Sequence, residues 1–408
     1  MNAPAAVPAI ADEAAWAEAF IRRVIEECPR RQPTSHDERR AHEIIRAEFD
    51  RLGLDAELQP FRFGDNLYRN LAVHFGLGVL ASTVAKRHPW VAAALHGLAG
   101  VSYLADSTRK GFILRRLQGW GASQNMVAVS PASGEPRLRV VFVAHADAAF
   151  TGMLFEEWFV RRFGSKPGPL YRPMKLATGS LFASAALDAA RGLGLVRGRA
   201  ADVAQTALAL PALLTFLLNA DIVARDTIVP GANDNLSGVA GILLLAHRLL
   251  GDQPDDVEYV FVASGCEEAS LGGADALAHR AERAWDRERT VVLAIDGLSN
   301  GDLFWFTEGE VRPVPLAPRL ERDLRAVVAS DEAFADVEPF AIPVGGTDAV
   351  PFALRGFEAV GIGCVDRDLK APRNYHLPSD TVDNMDPTLI PPCVDFVEAL
   401  VRHLVATR

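Results

Sequence analysis

An α/β chain, three layers deep with helices on both faces of a mixed, largely parallel sheet, is the fold class that three observations predict. Short runs rich in Val, Ile and Phe alternate with helical patterns along most of the 408 residues. The composition, 49% hydrophobic with 52 acidic and 42 basic side chains, is that of a chain able to bury a core. Internal repeats and low-complexity tracts are absent, so disordered and fibrous classes are excluded.

The elements follow in order. From Ala15 to Leu52 apolar residues recur at helical spacing (Phe20, Ile21, Val24, Ile25, then Ile44, Ile45, Phe49 and Leu52), with a break over 28–33, so two helices open the chain. Strands are predicted at 125–130, 138–144, 258–263, 290–295 and 358–363. Helices are predicted at 237–250, 272–284, 318–330 and 391–406, between or after those strands. The whole of 1–408 reads as one catalytic α/β domain with two interruptions.

Those interruptions are 71–120 and 151–227. The first holds two apolar pieces, 71–85 and 90–105, separated by Lys86, Arg87, His88 and Pro89; the second holds a similar piece, 207–220, with Pro211 inside it. Each piece is shorter than the roughly 20 residues a membrane-spanning helix needs. Basic residues gather in them. Six Lys or Arg face Asp106 alone in the first, and nine face six acids in the second, in a chain whose net charge is −10. A spanning hairpin in the first would put Lys86 and Arg87 across the membrane from Arg109 and Lys110, against the positive-inside bias. The insertions are therefore expected to cap a cleft or to bury one another in a homo-oligomer. Peripheral contact with an anionic membrane surface is the second expectation.

The acidic balance lacks the basic footprint of a nucleic-acid binder. Residues 1–20 have no basic leader region and carry Asp12, Glu13 and Glu18, so a cytoplasmic chain, with membrane association as a variant, is expected. Cys28, Cys266, Cys364 and Cys393 show no C-x-x-C spacing and read as free thiols. Any metal would then be held by His and carboxylate.

Five places offer such groups. The strand over 140–144 ends in His145 and Asp147, where parallel sheets present ligands. Asp234 lies in a polar loop, PGANDNLSG, at the entrance to an apolar helix, where an ordinary cap would need a single polar residue. The strand over 258–263 runs into Glu267 and Glu268. Adjacent carboxylates repel unless a cation or shared proton offsets the charge, so one can ligate a metal while the other moves a proton. Asp296 ends another strand, and His376 sits in a Pro-containing loop. The other eight histidines read as solvated or structural. Oxygen and imidazole donors without thiolate suit Zn, with Co or Mn as alternatives, and the surplus of carboxylates points to two ions sharing a bridging acid.

Taken together, AHAD (144–147), GANDNLSGVA (231–240), the Glu pair 267–268, Asp296, GGTDAVPFALRG (345–356) and YHLPSDTVDN (375–384) resemble peptidase family M28, the dizinc aminopeptidase-like fold. The opening segment 33–55 is similar to that family's first helix. The resemblance implies that Asp234 bridges two zinc ions, with His145 and Asp296 completing one site and Glu268 and His376 the other. It implies that Glu267 takes a proton from the attacking water and returns it to the leaving amine, that Asp147 supports His145, and that the Asp234–Asn235 peptide is cis. Two departures stand out: the second insertion separates Asp147 from Asp234, and Ala349 follows Asp348 where the family often has His. A peptide or amide is the expected substrate, and an aminopeptidase or dipeptidase the expected activity, with Glu308 and Glu310 as candidate receivers of a free α-amine. A glutaminyl-cyclase-like acyltransferase with one zinc and a membrane-linked non-enzymatic relative are the alternatives.

Overall fold

A computed structural model describes residues 10–164, 173–309, 311–343 and 345–408. Helices α1 (Glu13–Glu27) and α2 (His36–Arg51) open it, each started by a side-chain cap from Asp12 or Ser35. The eight strands are β1 (Asp55–Gly64), β2 (Trp120–Ser130), β3 (Leu138–His145), β4 (Val257–Ser264), β5 (Thr290–Ile295), β6 (Asp302–Thr307), β7 (Glu338–Ala341) and β8 (Glu358–Val365). They form one sheet in the order β1-β2-β4-β3-β5-β8-β6-β7. Its middle, β4-β3-β5-β8, is parallel, whereas β1 and β2 pair antiparallel and β6 joins β8 antiparallel. The sheet is thus mixed with a parallel centre, as expected; β1, β6 and β7 were not foreseen because their alternation is masked by polar or proline positions such as Arg62 and Pro339.

Alternation along the central strands builds the two cores. Val140, Phe142 and Ala144 face the helices α1, α2, α8 (Gly238–Leu249), α10 (Pro318–Ser330) and α12 (Ile390–Thr407). Val141 and Val143 face α9 (Gly272–Ala284) and the short α11 (Ala349–Ala353). Four thiols lie buried and unpaired by any disulfide. The chain winds from β3 to β4 on one side and then back past β3 to β5, so a topological switch point lies at the carboxyl ends of these three strands.

The insertions form a separate helical body. Two antiparallel pairs, α3 (Leu67–Val84) with α4 (Pro89–Ser107) and α6 (Pro173–Gly192) with α7 (Arg199–Arg225), meet around Leu71, Phe75, Tyr103 and Leu181. A single turn, α5 (Glu157–Phe159), precedes α6. The helices reach beyond the apolar pieces seen in the sequence: α3 starts at Leu67, ahead of 71, and α7 extends 207–220 at both ends through segments that carry Arg199, Asp202, Asp221 and Arg225. Lys166 and Arg172, counted among the basic residues above, fall outside the described residues.

Candidate metal centre

Each chemical side chain sits where a strand or helix must end. His145 is the last residue of β3, the Glu267–Glu268 pair follows β4, and Asp296 follows β5. Asp234 lies in the loop that opens α8, and its peptide with Asn235 is cis. Gly231 turns that loop with φ +64°, and a Cβ there would lie 2.6 Å from the Asp234 carbonyl oxygen, so only glycine fits. His376 itself holds a left-handed φ of 53°, as do Cys266, Ser270 and Leu271 around the glutamate pair. Backbone of this kind in non-glycine residues gathers at functional sites.

Distances show what converges. His145 Nε2 lies 3.1 Å from Asp234 Oδ1, and His376 Nε2 lies 3.1 Å from Asp234 Oδ2, so the two oxygens of one carboxylate face different imidazoles. Glu268 Oε1 is 3.2 Å from His376 Nε2. Asp296 Oδ1 and Glu267 Oε2 stand 3.9 and 3.8 Å from His145 Nε2. All these side chains line one cavity of about 870 Å³. The two groups His145, Asp234, Glu268 and His145, Glu267, Asp296 each have the spacing of a metal-ligand set.

A cation fits this donor set. Asp234 Oδ2 and Glu268 Oε1 are buried and accept no hydrogen bond, although His376 Nε2 is close to both, because the groups are not aligned for one. Ligand atoms bound at about 2.0–2.1 Å around a tetrahedral zinc stand roughly 3.3 Å apart; the separations here are 3.1–3.2 Å around Asp234 and His376 and 3.9 Å from His145 to Asp296. Electrostatics point the same way. Burial raises Glu267 well above the ordinary carboxylate range, with Glu268 adding to it, and lifts Asp296 to about 7 with help from Asp234. Burial by itself would lower His376, but Glu268 and Asp234 overcome it and push the imidazole up to about 10. A divalent ion would offset that crowding of negative charge.

The supporting contacts are specific. Asp147 accepts from the backbone N–H of Glu267 and of Glu268, both at 3.0 Å, so it holds the glutamate pair; His145 is oriented instead by its Nδ1 contact to the Asp147 carbonyl oxygen at 3.1 Å. This refines the expectation that Asp147 supports the imidazole. Four residues not singled out from the sequence complete the frame. Asp380 accepts from the N–H of Asn233 and Asp234 at 2.9 and 3.1 Å. Arg31, fully buried, donates to the carbonyl oxygens of Ala146 and Pro230 and so ties the His145 loop to the Asp234 loop. Glu38 accepts from Cys266 N–H behind the glutamate pair. Tyr68, from α3, places its hydroxyl 3.0 Å from His376 Nδ1. Asp380 lay inside a quoted motif and could have been flagged; Arg31, Glu38 and Tyr68 carry no local signal, since their partners are distant in sequence.

The remaining candidates fall elsewhere. Asp348 lies at the start of α11 without capping it and accepts from the Ser264 hydroxyl. Glu308 is buried and accepts from Thr347 N–H and Oγ1, and burial lifts it to about 8; it holds the 347 loop and does not line the cavity. Glu310 lies outside the described residues.

Known proteins resemble this chain over part of its sequence and in its fold. The family described as Peptidase family M28 matches residues 216–401, a span that includes Asp234, Glu267, Glu268, Asp296 and His376. No curated protein matches the sequence. Among solved structures, a zinc aminopeptidase from Bacillus subtilis is similar at 15% identity and a TM-score of 0.56, covering 96% of this chain and 95% of its own. A glutaminyl cyclase from Fimbriiglobus ruber is similar at 13% and 0.56, covering 99% of each chain. An aminopeptidase from an Aneurinibacillus strain is similar at 16% and 0.55, covering 95% and 93%. At these identities the likeness is one of fold.

Proposed function

We propose that this chain, a member of peptidase family M28 across residues 216–401, is a metal-dependent hydrolase of peptide or amide bonds, in its simplest form a dizinc aminopeptidase or dipeptidase. The observation that carries the reading is the Asp234 carboxylate, whose two oxygens face two different histidines at 3.1 Å each. His145 and Asp296 would complete one ion's ligands, Glu268 and His376 the other's; Co or Mn would fit the same donors. When bound, the ions polarise the scissile carbonyl and lower the pKa of water.

The chain's own residues supply the rest. Glu267, kept above the usual carboxylate range by burial and by Glu268, is suited to take a proton from the attacking water and return it to the leaving amine. Asp147 grips the backbone on both sides of the Glu267–Glu268 peptide, which keeps the proton-moving carboxylate and the ligating one at a set spacing. The Asp147 carbonyl and the Tyr68 hydroxyl each engage an Nδ1, leaving both Nε2 atoms directed at Asp234.

The test compares wild type with Glu267→Gln for metal content and for hydrolysis of free and N-blocked aminoacyl substrates. About two metals per chain, with activity lowered roughly 10²–10⁴-fold in a variant that keeps its metal, is the expected outcome. One metal per chain with cyclisation of N-terminal glutamine would favour the acyltransferase reading, which the likeness to a glutaminyl cyclase supports. Activity indifferent to Glu267 would overturn the mechanism.

A further inference from the structure

The four insertion helices turn large apolar side chains outward as well as inward. Among the described residues, thirteen of the seventeen exposed large hydrophobic side chains lie on α3, α4, α6, α7 or the turn between α6 and α7. On α7 the exposed large apolar positions are Val203, Leu210, Leu214 and Leu217, a helical stripe, while the buried stripe is mixed: Ala201, Gln205, Ala212, Thr215, Leu218, Asn219 and Ile222. A helix of a water-soluble domain turns charged and polar residues, not a leucine stripe, to the outside. The bundle interior mixes an apolar cluster around Leu71, Phe75, Tyr103 and Leu181 with buried polar pairs. His96 Nδ1 meets Asp188 at 2.8 Å and its Nε2 meets Ser82 Oγ at 3.1 Å, and His74 Nε2 meets Ser102 Oγ at 2.8 Å.

Charge and length complete the pattern. No Lys, Arg, Asp or Glu occurs in 70–84, 90–105, 176–187 or 203–220, one window on each helix. Charges collect at the two ends. Lys86, Arg87, Arg191 and Arg199 lie at the outer turns, with Asp202 paired to Lys86 and Arg191, and Arg69, Arg109, Lys110 and Lys175 lie at the end next to the catalytic domain. Helices of 18 to 20 residues span about 27–30 Å, and their charge-free windows about 18–27 Å, against a hydrocarbon thickness of about 30 Å. Among the described residues, α7 is the one helix long and apolar enough to cross a membrane by itself. Small residues allow close approach, with Gly76, Gly78 and Gly100 set against Phe216, Leu181 and Phe182.

From these features we infer that α3–α4 and α6–α7 are two hairpins that cross a phospholipid bilayer, their apolar exteriors in the hydrocarbon and their basic ends among anionic headgroups. A second copy of the chain would cover one face, whereas apolar side chains are exposed on all four helices, which is what surrounding lipid requires. Basic residues at both ends give the positive-inside bias no preferred side, which counted against a spanning first hairpin in the sequence; the apolar exterior shared by all four helices is what outweighs it. Because Leu67, Leu71, Met174, Leu214 and Leu218 of the same helices line the cavity of the metal centre, that centre sits at the membrane surface. The inference is independent of the reaction catalysed there.

The experiment is expression of the full chain followed by separation of membranes and washing with high salt and then with alkaline carbonate. Retention in the pellet through both washes is expected. Leu195→Cys places a thiol at the exposed outer turn, and the four native thiols are buried, so a membrane-impermeant maleimide added to sealed vesicles reports topology. Labelling from the side opposite the catalytic domain, and not from its own side, is expected. Leu98→Lys with Leu210→Lys should abolish retention, whereas on a water-facing surface the pair would change nothing. Release by salt, a soluble oligomer of wild type, or labelling of Cys at 195 from the catalytic side would each overturn the inference.

Discussion

The catalytic domain and the helical bundle solve the burial problem in opposite ways. Around the sheet, apolar side chains such as Val141, Phe142, Leu244 and Val262 are buried, and charge stays largely outside except around the metal centre. In the bundle, Asp188, His96, Ser102 and Gln205 are buried and Trp90, Leu98 and Leu210 face outward. The difference teaches that burying polar groups has two distinct uses here. At the centre, carboxylates converge on two imidazoles with Asp234 Oδ2 and Glu268 Oε1 unmet, a crowding of charge that a cation would offset; in the bundle, polar groups lie in pairs such as His96–Asp188 and His74–Ser102, and acceptors left over there, Asp188 Oδ1 and Gln205 Oε1 among them, do not converge on one point.

Metal removal should separate the two regions most strongly. A chelator is expected to abolish hydrolysis and lower the thermal midpoint of the α/β domain, since crowded carboxylates lose the charge that offsets them, while far-ultraviolet helix signal from the bundle persists; zinc should restore both. A midpoint unmoved by chelation would break the contrast.

Asp380→Asn comes next. Replacing a carboxylate that receives two backbone N–H groups by an amide weakens the hold on Asp234, and metal affinity or kcat/KM should fall about 10–100-fold, read by metal titration and steady-state kinetics.

The catalytic domain also carries an acid-sensitive group away from the centre. Burial pulls His42 down from the ordinary 6.5 to about 4. Between those values the unfolded chain binds a proton that the folded chain does not, so stability is full above about pH 6.5 and is lost as pH falls toward 4. The loss from pH 7 to pH 5 is on the order of 2 kcal/mol, and His42→Gln should flatten it in thermal midpoints measured across that range.

The smallest effect belongs to the bundle. Asp188→Asn keeps a partner for His96 but removes its charge, and should cost about 1 kcal/mol with kcat unchanged, measured by thermal unfolding and activity together. A loss of activity there would tie the bundle interior to the chemistry, which the contrast denies.

The sequence singled out candidate donors where a chemical group coincides with the end of a periodic element. His145, Glu268 and Asp296 each follow an apolar strand, and Asp234 enters an apolar helix, so their type and position were both visible. Asp147 was legible as a supporting residue but its partner was not, because the N–H groups it holds lie 120 and 121 residues away. Arg31 and Tyr68 were invisible for the same reason. In the bundle, the sequence showed apolar pieces and basic clusters, yet α6 escaped notice because its Ala, Ser and Gly residues look like neither face of an amphipathic helix.

Periodicity, charge and residue chemistry are local properties, and by themselves they determined the α/β class, the parallel centre of the sheet and the identity of the metal-type donors. Which oxygen of Asp234 faces which histidine, which residues brace them, and which stripe of each insertion helix points outward are set by contacts between segments far apart in the chain. Only the packed structure decides those, because a side chain's neighbours across space have no fixed spacing along the sequence.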